Sequence, residues 1–229
     1  MFLIGGPAFS GTTLLALLLN QGDLICLDEP DFHNPAQSHR GIPFLKSLFP
    51  DRTFPERPAE ALRYEEAVHL IQQCESAISP CKLGIKTCDW PFLAYAKVYR
   101  SLGYPVIALV RDIRDALVRP LPEWLTEAKL NQGYRLVWDN LHMFDLWLRY
   151  EELVTNPENV MAKISRALAH PLQVLDGWDP QSVHHPMLKL NRHDLLKSGK
   201  ISRSRVDIWR TSKKLFSEET HDTATTMGY

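Results

Sequence analysis

The residues best suited to chemistry lie in Gly5-Gly6-Pro7-Ala8-Phe9-Ser10-Gly11-Thr12-Thr13. Glycines spaced as Gly6-x4-Gly11, followed by hydroxyl-bearing threonines, can turn backbone N–H groups and a helix N-terminus toward one anionic group. The spacing is that of a phosphate loop, yet Thr12-Thr13 stands where nucleoside triphosphate enzymes carry Lys-Ser or Lys-Thr. That lysine serves the β- and γ-phosphates, so the loop is expected to hold an anion without it. No Lys or Arg precedes Arg40, and neutralising charge must come from elsewhere in the fold. Taken alone, the stretch equally suits a tight turn before a core helix. Asp28-Glu29-Pro30-Asp31 closes an apolar run, Leu24 to Leu27. Carboxylates at the C-terminal end of a strand lie where open α/β sheets bind ligands, although a lone Glu29 there is also an ordinary solvated charge. Arg111, directly after Pro105 to Val110, can grip a phosphate with two donors and stays charged; a surface Arg–Asp network is the plainer reading of Arg111-Asp112-Ile113-Arg114-Asp115.

These groups converge only if the chain alternates strand and helix. Phe2 to Ile4 is a short apolar strand that the glycines and Pro7 break. From Thr12 the sequence is apolar nearly all round, as in a buried helix. The proline-rich stretch Phe32 to Pro58 has no period and is expected to be a long loop, a lid or acceptor-binding segment. It carries Arg40, Lys46, Arg52 and Arg57 among Phe32, Phe44, Phe49 and Phe54. Tyr64, Ala67, Val68, Ile71 and Ile78 mark an amphipathic helix. Leu83 to Lys86 reads as a strand. Asp89 ahead of Trp90-Pro91 is expected to cap a helix that runs to Leu102 and stops at Gly103. After Pro122, Tyr134, Val137, Trp138 and Leu141 have helical spacing. Phe144 to Leu148 suits a further strand. Asn156-Pro157 opens a helix with Val160, Met161, Ile164 and Leu168 inward. Residues 177–210 are loop-rich, and a last helix precedes Gly228-Tyr229. The alternation predicts an α/β fold with a mainly parallel sheet.

A chain of 229 residues, 45% hydrophobic and 23% charged with net charge −1, suits one α/β domain over residues 1–229. It gives no global argument for a nucleic-acid or anionic-membrane partner. The distribution is less even: Lys189 to Lys214 carries nine Lys and Arg against Asp194 and Asp207, either a solvated basic face or a phosphate-binding flap. Cys26, Cys74, Cys81 and Cys88 lack C-x-x-C spacing, so no metal site is expected and a reducing cytoplasm fits. The apolar start lacks the basic region of a signal peptide, and Leu14 to Leu19 is too short to span a bilayer. Nothing in the sequence sets an oligomeric state.

In chain order, these motifs resemble those of sulfotransferases that use 3′-phosphoadenosine 5′-phosphosulfate (PAPS). Ser10-Gly11-Thr12-Thr13-Leu14-Leu15 is similar to their 5′-phosphosulfate loop, with Phe9 where Arg or Lys is usual. Val110-Arg111-Asp112-Ile113-Arg114 resembles their 3′-phosphate motif, with Arg119 in place of a Ser. Arg149-Tyr150-Glu151-Glu152-Leu153-Val154 resembles a segment given a mainly structural role. Ser204-Arg205-Val206-Asp207-Ile208-Trp209 is similar to their flap, with Asp207 in place of Gly, and Gly228-Tyr229 fits their closing residues. Lys86-Thr87-Cys88 stands where the cytosolic enzymes have Lys-Thr-His with the His as base, and a thiol is a poor base near neutrality. The protein-tyrosine and glycan enzymes use a Glu after the second strand; here that is Glu29, nineteen residues beyond Ser10.

The resemblance implies a three-layer α/β/α, P-loop-like sulfotransferase fold and PAPS as cofactor, with the bisphosphate PAP as product and no metal. It implies a small-molecule or glycan hydroxyl as acceptor. Phe9, Ser10, Gly11, Thr12, Thr13, Arg111, Arg119, Arg203, Ser204 and Arg205 would bind the nucleotide, the last three within a basic flap at 186–214. Lys86 would neutralise charge in the transfer and Glu29 would be the base, with Asp28, Asp31, Asp89, His33 and His39 as competitors. A small-molecule phosphotransferase is the main alternative, which the missing loop lysine disfavours. A non-catalytic nucleotide-binding relative is kept open by Phe9, Arg119 and Asp207.

Overall fold

The computed structural model describes residues 1–30, 32–34, 41–174 and 201–229. Five strands are assigned: β1 (Phe2–Gly6), β2 (Leu24–Asp28), β3 (Lys82–Cys88), β4 (Val106–Val110) and β5 (Leu146–Arg149). They form one sheet in the order β2-β3-β1-β4-β5, and every neighbouring pair is parallel. All five C-terminal ends therefore lie along one rim. Parallel neighbours need crossovers, and the helices supply them: α1 (Thr12–Leu18), α2 (Ile42–Leu48), α3 (Tyr64–Ala77), α4 (Asp89–Ser101), α5 (Ile113–Leu117), α6 (Glu127–Asp139), α7 (Tyr150–Thr155), α8 (Pro157–Leu168) and α9 (Glu218–Thr226).

Alternation along each strand sorts side chains between two cores. Phe2, Ile4, Leu24, Cys26, Ile107, Leu109 and Leu148 pack with α1, α7 and α8. Leu3, Leu27, Leu83, Ile85, Val106, Ala108 and Val110 pack with α3, α4, α5, α6 and α9. Both faces of the sheet are thus covered, which is why β1 and β4 are apolar at every position. The architecture is the expected three-layer α/β/α, with a sheet that is parallel throughout.

Local expectations fared unevenly. Asn156 accepts the N–H of Asn159 at 3.3 Å and opens α8 at Pro157. Gly103, at φ 75°, follows the end of α4. The expected loop at 32–58 is not wholly irregular: α2 forms within it, opened by Pro43 in its first turn with Lys46 in its last. Burial of Ile42 and Leu45 against the α3–α4 core outweighs its prolines, which suit a first turn. The last strand is shifted to Leu146–Arg149, because Phe144 packs against Phe92 with ring centroids 5.0 Å apart. Asp31, His39, Arg40 and residues 186–200 of the proposed flap lie outside the described residues. Among the described residues no helix is long and apolar enough to cross a membrane, and no cluster of three metal-ligating side chains occurs.

Candidate active site

The rim at the C-terminal ends of β1, β2 and β3 carries the anion loop. β1 stops at Gly6, whose Cβ would meet the Leu109 carbonyl at 2.0 Å; only glycine lets the chain leave the sheet so close to β4. Gly11 starts α1 at φ 94°, and a Cβ there would lie 2.4 Å from Cδ2 of Tyr150. Between them Ser10 is fully buried, and its Oγ has no hydrogen-bond partner among the described residues. The Ala8 N–H donates to Asp89 Oδ1 at 2.9 Å. Asp89 therefore does not cap α4 as expected. It is the first helical residue, at φ 52°, and its carboxylate serves the loop instead. Burial raises its pKa. The Arg119 guanidinium lies over the Phe9 ring, 5.6 Å from its centroid, so a cation from beyond α5 stands beside a loop that has none of its own.

Beside the loop, Lys86 is 3% exposed. Its Nζ lies 3.1 Å from Asp28 Oδ1 and 2.6 Å from Glu29 Oε1. Asp28 and Lys86 are register partners on β2 and β3, and both point toward the α1 side. Glu29 leaves the strand at φ 46°, where its N–H still donates to the Lys86 carbonyl at 2.7 Å. That turn brings its side chain back over the ammonium. Burial disfavours the charged lysine, but Asp28 and Glu29 more than offset it and hold the Lys86 pKa well above its usual range. Asp28 also accepts the hydroxyl of Thr13 at 3.3 Å. Cys88, 3.5 Å from Thr12 Oγ1, is pushed up to about 12 by burial, so it is a neutral thiol and no base. Asp28 is buried, whereas the Glu29 side chain is 35% exposed. Of the described carboxylates around the ammonium, Glu29 is the one open to a substrate. His33 instead joins an aromatic group with Tyr64 and Tyr95, centroids 4.7 and 5.9 Å away.

The rim continues at β4 and β5. Arg111 is 3% exposed, lies over the Tyr150 ring at 4.5 Å, and donates to the Arg205 carbonyl. Its Nε has no partner among the described residues. Burial and the neighbouring Arg111 charge lower the Arg205 pKa, and Arg111 itself lies 3.9 Å from the buried Asp115 carboxylate. Asp115 fastens the flap: its carboxylate accepts the N–H of Asp207 at 2.8 Å and of Trp209 at 3.0 Å. Arg114, paired with Asp112, lies 3.8 Å from the Trp209 centroid. Arg203 donates to the Val154 and Thr155 carbonyls at the end of α7, and Ser204 Oγ accepts from Ser202 at 2.7 Å.

The structure thus gathers Ser10 to Thr13, Glu29 and Lys86 at one end of the rim and Arg111 and Arg205 at the other. Tyr150 touches both ends, and sequence reasoning gave its segment a mainly structural role. The neighbouring residues are indeed committed to packing: Glu151 accepts the Asp112 N–H at 3.0 Å and the Tyr229 hydroxyl at 3.1 Å, and Arg149 donates to the Met227 and Gly228 carbonyls. The tie from Asp28 to Lys86 was also missed, although strand alternation signals it: both charges occupy positions in phase with buried residues facing α1.

Two sulfotransferase domains share this fold over the whole chain. One, from the curacin biosynthetic pathway, aligns with a TM-score of 0.64 and 18% identity, covering 100% of this chain and 97% of that one. The other, from the Synechococcus olefin synthase, aligns at 0.60 and 17%, covering 100% and 94%. A mouse sulfotransferase complexed with PAP aligns at 0.50 and 13%, covering 99% and 83%. No protein-family profile and no curated protein sequence matches the chain. The fold is that of the sulfotransferase family.

Proposed function

We propose that this chain transfers a sulfuryl group from PAPS to the hydroxyl of a small molecule or glycan, as one domain over residues 1–229. The observation that carries the reading is a buried lysine, held against a half-exposed carboxylate, beside an anion loop without the lysine that nucleoside triphosphates require. The residues fit the nucleotide. Ser10 Oγ and Arg111 Nε are buried polar atoms without partners among the described residues, and both types bind phosphate oxygens well.

PAPS supplies a sulfuryl group whose bond to the 5′-phosphate oxygen breaks as the acceptor oxygen bonds to sulfur, leaving PAP. Glu29 takes the acceptor hydroxyl proton, since its side chain is 35% exposed whereas that of Asp28 is buried and that of Asp89 holds the Ala8 N–H. Lys86, kept charged by its two carboxylates, offsets negative charge on the transferring group and the departing oxygen. Backbone N–H groups and hydroxyls from Ser10 to Thr13 hold the 5′ end, with Arg119 beside Phe9. Arg111, Arg203, Ser204 and Arg205 serve the 3′-phosphate end, and Tyr150 keeps Arg111 in place.

Thermal shift tests this directly. PAP at 100 times its dissociation constant should stabilise the fold by about 2.7 kcal/mol, while ATP with magnesium should do far less. Arg111→Ala should weaken PAP much more than adenosine 5′-phosphosulfate, which lacks the 3′-phosphate. Stabilisation by ATP with magnesium and none by PAP would overturn the reading.

A further inference from the structure

Asp28 is a carboxylate whose part in the chemistry above goes no further than helping to keep Lys86 charged. It is 3% exposed at the last position of β2, where alternation turns it to the apolar α1 side. One of its oxygens, Oδ1, receives both the Lys86 ammonium at 3.1 Å and the Thr13 hydroxyl at 3.3 Å. A single atom therefore ties the first turn of α1, in the anion loop, to the lysine on β3. Glu29 holds the same ammonium at 2.6 Å, but from an exposed position after the strand.

Two carboxylates thus face one ammonium. With Glu29 alone the base would be locked to the ammonium, and its protonation would leave the buried Lys86 charge without a counter-ion, which is strongly unfavourable. With Asp28 present, Glu29 can release the ammonium and accept a proton while Lys86 stays paired. We propose that Asp28 is the positioning residue of this site: the standing counter-ion of Lys86, which aims the ammonium toward the loop and frees Glu29 for the acceptor. The proposal rests on the sulfuryl-transfer reading.

It carries a signature that a purely structural role lacks. A carboxylate beside an anion loop repels the ligand, so Asp28 helps turnover while opposing nucleotide binding. Asp28→Asn keeps the shape and one acceptor oxygen, removes the charge and turns the other oxygen into an N–H donor. PAP affinity is measured by calorimetry, and PAP formation from PAPS is followed with a phenol, a sugar hydroxyl or water as acceptor. Asp28→Asn should lower kcat by roughly ten- to a hundredfold, as loss of a partner that orients a reacting group does, while PAP binds as tightly as before or more tightly. In a Lys86→Met background the same change should leave kcat within about twofold, because coupled residues are non-additive. It should also raise Tm there by removing a buried charge that has lost the Lys86 ammonium, a reading that stands even if Asp28→Asn alone does not fold. A normal kcat, a loss of PAP affinity that parallels the loss of rate, or a further fall in Tm in the Lys86→Met background would each sink the proposal. Wild-type protein that ignores PAP altogether would instead sink the sulfuryl-transfer reading beneath it.

Discussion

Gly11→Ala is the sharpest perturbation of the link between the two ends of the rim. Two costs follow from the geometry. The alanine must hold φ 94°, and a left-handed backbone costs an L-residue on the order of 1–2 kcal/mol. Its Cβ would also lie 2.4 Å from Cδ2 and 2.8 Å from Cε2 of Tyr150, and forcing a methyl into a packed site costs about 1–3 kcal/mol. Together they predict a loss of roughly 3 kcal/mol, or about 6–12 °C in Tm for a chain of this size. The functional effect travels through the ring: Tyr150 must move, and Arg111 stacks on it at 4.5 Å. Losing one charge-assisted hydrogen bond, about 1.5–3 kcal/mol, should weaken PAP by roughly ten- to a hundredfold. Thermal denaturation and calorimetry with PAP measure both quantities. A cycle with Tyr150→Ala separates the causes, since the alanine clash vanishes without the ring while the backbone term remains. Strict additivity in that cycle, or normal PAP affinity in Gly11→Ala, would show that the ring does not connect the two ends.

Three other substitutions probe the site. Glu29→Gln should depress kcat by roughly 10²–10⁴-fold and leave PAP affinity and Tm nearly unchanged; near-normal turnover would move attention to Asp89 and His33. Lys86→Ala breaks the buried pair with Asp28 and should cost about 3–5 kcal/mol in urea denaturation, and a neutral result would mean that the pair adds nothing to stability. Cys88→Ala should be mild in activity and informative in pH. The folded thiol pKa, raised to about 12, exceeds the unfolded value, so its stabilisation is complete below the unfolded pKa and is lost as pH rises toward 12. Wild type should therefore lose more Tm than Cys88→Ala between neutral and alkaline pH, and parallel Tm curves would contradict that burial.

The sheet was legible because its signals are local: apolar runs of strand length, glycines at Gly5, Gly6 and Gly11, and Asn156-Pro157 before a periodic helix. The site was legible in its parts. Ser10, Glu29 and Arg111 each follow a strand and Lys86 lies two residues from the end of β3, and parallel strands bring such ends to one rim. What escaped was the pairing between distant segments. Tyr150 meets Gly11 only because α7 folds back beneath the loop, and nothing near either residue encodes that contact. Asp89 had the look of a helix cap, yet the Ala8 N–H from β1's loop won its carboxylate. Helix α2 was hidden because proline reads as loop unless its first-turn position is recognised.

Phe9, Glu29 and Asp89 share a backbone feature with a bearing on protein engineering. Each has a positive φ, 63°, 46° and 52°, and each follows the end of a different strand of the rim. Such conformations cost non-glycine residues on the order of 1–3 kcal/mol apiece. Glycine would relieve that backbone cost at each position, most simply at Phe9, whereas at Glu29 and Asp89 it would also give up the Lys86 pair and the Ala8 hydrogen bond. The same changes would remove the carboxylate of Glu29, the loop anchor of Asp89 and the ring beneath Arg119. Thermostabilised variants chosen without an activity filter should therefore take up glycine at Phe9 before the other two sites, trading the ring beneath Arg119 for robustness.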